Sequence, residues 1–380
     1  MYYFTVKQSP MYHQMTLEEF LFPKEKDKKA CITENTTNTR TYAMEKIPEK
    51  ILNSVNVNYL VRVLRSFNNS TLSLHEQDRH ELYRTFHIPK KSGGLRKIDA
   101  PNEELMNALR TLKTIFEKDF GALYHTSAFA YIKGRCTLDA VKRHQQNESR
   151  WFGKYDLSNF FGNTTMEYVM SMFSVIFPFS EVMKDEQGAS ELRKAIDLCF
   201  LDGGLPQGTP ISPLITNIMM IPVDYKLSNT LRDFNGQRYV YTRYADDFIV
   251  SSQYSFDFRA TEKLIIDTLA SFHAQFTIKT EKARYGSSSG SNWNLGVMLN
   301  KDNQITIGYK RKKEFKAMLS NFVLDTVHGT PWPIEDVMTM EGLRNYYTMV
   351  EGLPIVNIVE HISDKYHVDT VKMIKDVLRA

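Results

Sequence analysis

The chain has 380 residues, 42% of them hydrophobic, with 48 Lys and Arg against 44 Asp and Glu. That length allows two or three modules with buried cores, while a net charge of +4 is too small to argue for nucleic acid by itself. No run of 18 apolar residues and no signal-peptide pattern is present, and Cys31, Cys136 and Cys199 are too scattered for a paired-cysteine zinc module, so a protein of a reducing, cytoplasmic compartment with no membrane partner is expected.

In chain order, residues 1–60 read as an N-terminal extension, in which Lys24-Glu25-Lys26-Asp27-Lys28-Lys29 and the Thr- and Asn-rich stretch after it predict a polar surface loop. Apolar residues at helical spacing predict helices over 57–67, 102–120 and 166–177. Between the first two, residues 86–101 predict a basic hairpin turning at Ser92-Gly93-Gly94, with Lys90, Lys91, Arg96 and Lys97 on its arms. Strands are predicted over 128–134, 150–157 and 237–250. Helices alternating with antiparallel strand pairs make an α+β fold rather than a doubly wound sheet.

Several places carry chemistry. Tyr244-Ala245-Asp246-Asp247 is flanked by β-branched and aromatic residues, which predicts strand, tight turn, strand, with the acids at the turn. Adjacent carboxylates repel unless a cation or proton neutralises them, so the pair is a natural half-site for Mg²⁺. In isolation it is equally an ordinary polar turn. Asp156 ends a short strand-like run ahead of Phe160-Phe161, whose side chains would alternate between core and site on extended backbone. Gly203-Gly204-Leu205-Pro206-Gln207-Gly208-Thr209-Pro210 can only be a loop, feeding a helix after Pro213. The basic hairpin is either a solvated turn or a fork for a triphosphate, with Lys90 and Arg96 the candidate cations, since charge-assisted bonds to phosphate are the strong ones. Lys310, Arg311, Lys312, Lys313 and Lys316 fall within two helical turns and would form a phosphate-binding ridge.

Asp156, Gly204-Leu205-Pro206-Gln207-Gly208 and Tyr244-Ala245-Asp246-Asp247, in that order, resemble three central motifs of reverse transcriptases, and the resemblance covers roughly residues 60–350. It implies a right-hand polymerase with fingers over 61–150, a palm of antiparallel sheet and helices over 151–300 and a helical thumb over 301–380. It also implies an RNA-directed DNA polymerase holding two Mg²⁺ ions, or Mn²⁺ in their place, on Asp156, Asp246 and Asp247. Asp246 would be the more direct ligand of the pair. Phe161 would lie beneath the sugar and block a 2′-hydroxyl, and Gln207 would touch the nucleotide. Lys282, in Glu281-Lys282-Ala283 where the family often has Glu-Lys-Thr, would be a general acid toward pyrophosphate. Trp293 to Asn300 looks like the primer grip, a hairpin centred on Gly296, and 341–351 looks like a thumb helix with Tyr346 and Tyr347 in its core.

The implied partners are an RNA template, a DNA or RNA primer, dNTPs and a cognate noncoding RNA, with the oligomeric state open. The sequence leaves no room after the thumb for a ribonuclease H module, which by family analogy points to a retron-like or defence-associated enzyme acting against phage. Two alternatives stay open. An RNA-dependent RNA polymerase has a similar palm, although Ala245 and Phe161 argue against it. A non-catalytic RNA-binding relative of the same fold would not need all three acids.

Overall fold

The computed structural model describes residues 56–90, 93–290 and 295–379; the loop of residues 24–29, Cys31, Lys91, Ser92, Trp293 and Asn294 lie outside them. In chain order the elements are α1 (Val57–Ser70), α2 (Leu72–Glu76), β1 (Tyr83–Pro89), β2 (Leu95–Pro101), α3 (Glu103–Ile115), α4 (Thr137–Gln146) and β3 (Trp151–Asp156). There follow α5 (Met166–Phe173), α6 (Phe179–Val182), α7 (Glu186–Asp197), α8 (Ser212–Met219), α9 (Ile221–Leu231), β4 (Tyr239–Tyr244), β5 (Asp247–Ser252) and α10 (Phe258–Ala270). The chain closes with β6 (Arg284–Ser287), β7 (Met298–Leu299), β8 (Ile305–Thr306), α11 (Tyr309–Val327), α12 (Ile334–Glu351), α13 (Leu353–Tyr366) and α14 (Thr370–Arg379). The mixture of helices and antiparallel sheet is the expected α+β make-up. Among the described residues no helix is long and apolar enough to cross a membrane.

The chain divides into two compact units, each of three segments. One comprises the residues up to Thr126, Leu157–Leu227 and Leu264–Thr277. It is mainly helical, with β1 and β2 as its antiparallel pair. Its core gathers aromatic rings. Phe116 meets Phe179 edge-on at 5.2 Å, and Phe120 and Phe173 lie 4.4 and 4.3 Å from the same ring. This cluster explains two shortened helices. After α3 the chain widens into a π turn over Phe116–Phe120 and stops at left-handed Gly121, and α5 ends at Phe173 so that Phe179 can return to the cluster.

The other unit comprises Ser127–Asp156, Ser228–Lys263 and the residues from Ile278 on. Its antiparallel sheet has the order β4-β5-β3-β6. Helices α11 to α14 pack around a separate core of Phe315, Leu319, Phe322, Met340, Ile355 and Ile362, among others. Tyr347 is buried in that core and Tyr346 packs against it, as expected of both. The strand expected over 128–134 is absent. Only Ala128 makes a lone parallel bridge to Arg243, and left-handed Tyr131 and Gly134 then bend the backbone. The Arg135 guanidinium donates to the Ala128 carbonyl at 2.6 Å, supplying the partner a neighbouring strand would have given.

Candidate active site

Register builds the acidic centre. In the β3–β5 ladder Asp156 stands opposite Asp247, and in the β4–β5 ladder Tyr244 stands opposite Asp247. Ala245 and Asp246 are therefore a two-residue turn. Ala245 takes the left-handed conformation (φ 56°), which favours such turns and carries a small cost in a residue with a Cβ. The fully buried Arg243 guanidinium donates to the Ala245 carbonyl at 3.2 Å and holds the turn from below. One backbone device thus brings all three acids to one end of the sheet.

Three lysines pair with two of the three acids. Lys279 Nζ lies 2.7 Å from Asp156 Oδ1, and Lys282 Nζ lies 3.7 Å from Asp156 Oδ2. Lys154 Nζ lies 2.7 Å from Asp247 Oδ2. Burial, with the Asp156 charge second, pushes the Asp246 carboxyl above its usual range. Burial pushes Asp247 up to about 6, against the pull of Lys154. Its Oδ1 is buried with no hydrogen-bond partner. An unpartnered carboxylate oxygen among acids reluctant to ionise is what a hard cation would satisfy, so the donors fit Mg²⁺. Among the described residues no three His, Cys, Asp or Glu side chains form a ready cage. The rest of such an ion's shell would be water and substrate phosphate.

Lys154 and Lys279 were not singled out from the sequence. Lys154 had a readable signal, since it precedes Asp156 by two on a strand and so shares its face. Lys279 had none beyond its spacing from Lys282, because the chain around it is irregular.

In the helical unit, residues 158–163 form turns with Asn159 left-handed, so the expected alternation of Phe160 and Phe161 on extended backbone does not apply. The two rings nevertheless differ in burial. Phe160 is 2% exposed with its ring 5.2 Å from Phe276, while Phe161 is only half-buried. The Phe161 carbonyl accepts from Leu205 N–H at 3.0 Å, which joins this turn to the Gly-Leu-Pro-Gln-Gly loop. The Gln207 carbonyl in turn accepts from Asp99 N–H at 2.8 Å. Gly208 (φ +127°) admits no Cβ, which would come within 2.7 Å of the Asp99 carbonyl oxygen. On the β1–β2 hairpin, Lys90 N–H closes on Gly94 O at 2.9 Å. Arg96 stands opposite Ile88, and Lys97, opposite His87, points to the other face. Lys97 is held by Asp99 (3.2 Å) and Asp202 (3.5 Å), whereas Lys90 and Arg96 are exposed.

The hairpin expected over Trp293 to Asn300 begins outside the described residues, and within them Leu295 and Gly296 form a turn with both residues left-handed. The strands that follow, β7 and β8, pair in a hairpin of their own that turns at Asn300, whose side-chain oxygen accepts from Asp302 and Gln304 N–H at 2.9 and 2.8 Å. Gly296 (φ +91°) precedes the strand, and its carbonyl accepts from the Arg311 guanidinium. The cations of α11 are not one ridge. Arg311 is committed to Gly296, and Lys312 lies 2.8 Å from Glu351, a carboxylate that also accepts from Thr306 and Ile307. Lys310, Lys313 and Lys316 are the exposed three.

The family model for reverse transcriptase (RNA-dependent DNA polymerase) matches residues 88–315. The Retron Ec73 reverse transcriptase of Escherichia coli is 29% identical over 243 residues, covering 61% of this chain and 73% of that protein. The Retron Ec83 enzyme of Escherichia coli is 26% identical over 304 residues, covering 77% and 89%. The Retron Mx65 enzyme of Myxococcus xanthus is 28% identical over 275 residues, covering 68% and 59%. Among solved structures, telomerase from Candida albicans in complex with a fragment of telomeric RNA aligns with TM-score 0.43 and 11% identity, over 76% of this chain and 58% of that one. Apo telomerase from Candida tropicalis aligns with TM-score 0.41 and 13% identity, over 78% and 63%. With well over half its length matched, the chain belongs to the reverse transcriptase family. It is an RNA-directed DNA polymerase, similar to the bacterial retron enzymes.

Proposed function

We propose that the enzyme extends a primer with dNTPs on an RNA template by in-line phosphoryl transfer, using Asp156, Asp246 and Asp247 as the seat of two Mg²⁺ ions. The observation that carries this reading is the register that sets Asp156 opposite Asp247, with Asp246 beside Asp247 in the β4–β5 turn. Phosphoryl transfer asks little covalent chemistry of the protein, so positioning and charge neutralisation dominate. When bound, the ions would activate the primer 3′-hydroxyl and neutralise the triphosphate. Asp156 and Asp246 would be the principal ligands, with Asp247 shared between an ion and Lys154. Lys90 and Arg96 would bind the triphosphate oxygens, Phe161 would exclude a 2′-hydroxyl and Gln207 would contact the nucleotide. Lys282 would protonate the leaving pyrophosphate, with Lys279 as a second candidate because it lies nearer Asp156. In this reading residues 61–150 are the fingers, 151–300 the palm and 301–380 the thumb. By analogy with retron relatives, the template is a dedicated noncoding RNA and the setting a cytoplasmic retroelement or phage defence system.

Replacing Asp246 and Asp247 together by Asn tests the centre, because neutral amides cannot balance two divalent ions. The variant is expected to fold and bind RNA while losing dNTP incorporation in a primer-extension assay. Incorporation within about tenfold of the parent would sink the assignment, since loss of metal-held transition-state charge is worth far more than that. Sequencing the nucleic acid that co-purifies with the protein tests the noncoding-RNA reading.

A further inference from the structure

The hydrogen-bond frame behind the acidic turn gives a role to His144, which belongs to none of the motifs above. It sits near the end of α4, a helix begun by Cys136, whose N–H donates to Asp139 Oδ2 at 3.0 Å. The imidazole is wholly buried, and both of its nitrogens are engaged. Nδ1 lies 2.6 Å from Ser251 Oγ on β5, and Nε2 lies 2.8 Å from Thr242 Oγ1 on β4. In the hairpin ladder Thr242 stands opposite Ile249, and Ser251 opposite Val240, so both hydroxyls lie on one face and a single ring spans both arms. Thr242 precedes Asp246 by four residues and Ser251 follows Asp247 by four.

Counting protons fixes the ring's state. Ser251 donates its hydroxyl proton to Ser149 Oγ at 2.7 Å, so it can only accept from His144. Nδ1 therefore carries the proton, and Nε2 accepts from the Thr242 hydroxyl. Burial, with the Arg143 charge second, pushes the imidazole down to about 3, so it stays neutral. Thr242, His144 and Ser251 thus each donate once along the chain that ends at Ser149, which also accepts from Asn147 Nδ2 at 3.0 Å. A polar network of this kind specifies one arrangement where an apolar contact would allow several.

We propose that His144 is a positioning residue for polymerisation, locking the two arms of the Tyr244–Asp247 hairpin so that the carboxylates hold their spacing during the reaction. The proposal rests on the function proposed above. Were the ring only filling space, phenylalanine would serve as well.

Two variants test it. H144F keeps the volume but orphans two hydroxyls, and H144F/T242V/S251A removes those hydroxyls so that folding is protected. Amide hydrogen exchange across residues 239–252 in the free enzyme is the first measurement. Single-turnover incorporation by enzyme bound to template-primer is the second, its amplitude counting folded sites and its rate reporting their geometry. Both variants are expected to exchange faster in the hairpin while α11 to α13 are unchanged. Both should incorporate on the order of tenfold to a hundredfold more slowly with template-primer affinity unaltered, the scale of an ångström-sized misplacement. Parental exchange in the hairpin of H144F overturns the proposal, and so does a parental rate at reduced amplitude. If the parent incorporates no dNTP, the function reading fails, and hairpin exchange still decides whether His144 locks the turn.

Discussion

Asp247 joins two opposed influences in one carboxylate. Burial disfavours its charge while Lys154 favours it, and burial wins, raising the group to about 6 from an ordinary 3.8. A carboxyl raised on folding holds its proton more tightly in the native state, so its contribution to stability is present at low pH. That contribution is lost as pH rises from about 4 to about 6, at roughly 1.4 kcal/mol per pH unit. Melting of the parent and of Asp247→Asn, compared in metal-free buffer across that window, should show the parent losing ground as pH rises. A parent that gains instead would mean Lys154 outweighs burial. Mg²⁺ added at neutral pH should then stabilise the parent more than the variant, because an ion binding only the folded state adds to its stability. A second prediction concerns Phe161. Phe161→Ala should raise ribonucleotide use relative to deoxynucleotide use by on the order of 10–200-fold, the usual worth of a steric contact with a small group. An unchanged ratio in a folded variant would reject the gate, and Phe160 is no substitute, being 2% exposed and packed on Phe276.

At the scale of single elements, α11 shows why a charge count misleads. Five cations in two turns look equivalent in sequence, yet Arg311 and Lys312 are joined to Gly296 and Glu351 while Lys310, Lys313 and Lys316 face solvent. Replacing the exposed three by Gln should weaken RNA–DNA duplex binding and flatten its salt dependence, by up to roughly 0.9 log unit of slope per lost phosphate contact. Neutralising Lys90 and Arg96 should instead impair dNTP use at saturating duplex. Identical effects from the two sets would mean that both bind duplex, and the triphosphate role of Lys90 and Arg96 would be abandoned. The hairpin that joins β7 to β8 turns at Asn300 because its side chain accepts from two backbone amides.

For the molecule as a whole, the helices from α11 on have a core of their own, and Glu351 fastens them to β8 of the same unit. Its carboxylate is 5% exposed and accepts from Thr306, Ile307 and Lys312, so Glu351→Gln leaves Lys312 without its counter-charge. The expected cost is about 2 kcal/mol, in line with hydrogen bonds to charged groups. Hydrogen exchange should localise it, with faster opening in α11 to α13 and none in β3 to β5, because separate cores open as separate cooperative units. Equal acceleration in the sheet would show that the two cores unfold together.

The sequence alone determined the family, the α+β make-up, the three acids and the hairpin that carries two of them. Each is written locally, in an Asp-Asp pair between β-branched and aromatic arms, a Gly- and Pro-rich loop and an acid closing a strand. Tertiary structure alone decided which lysines answer those acids, which cations of α11 remain exposed and why residues 128–134 form no extended strand. It also brought His144 beneath a hairpin about a hundred residues further along the chain. Those outcomes depend on partners distant in sequence, and a lysine or a buried histidine carries no local mark of the carboxylate or hydroxyl that folding sets beside it.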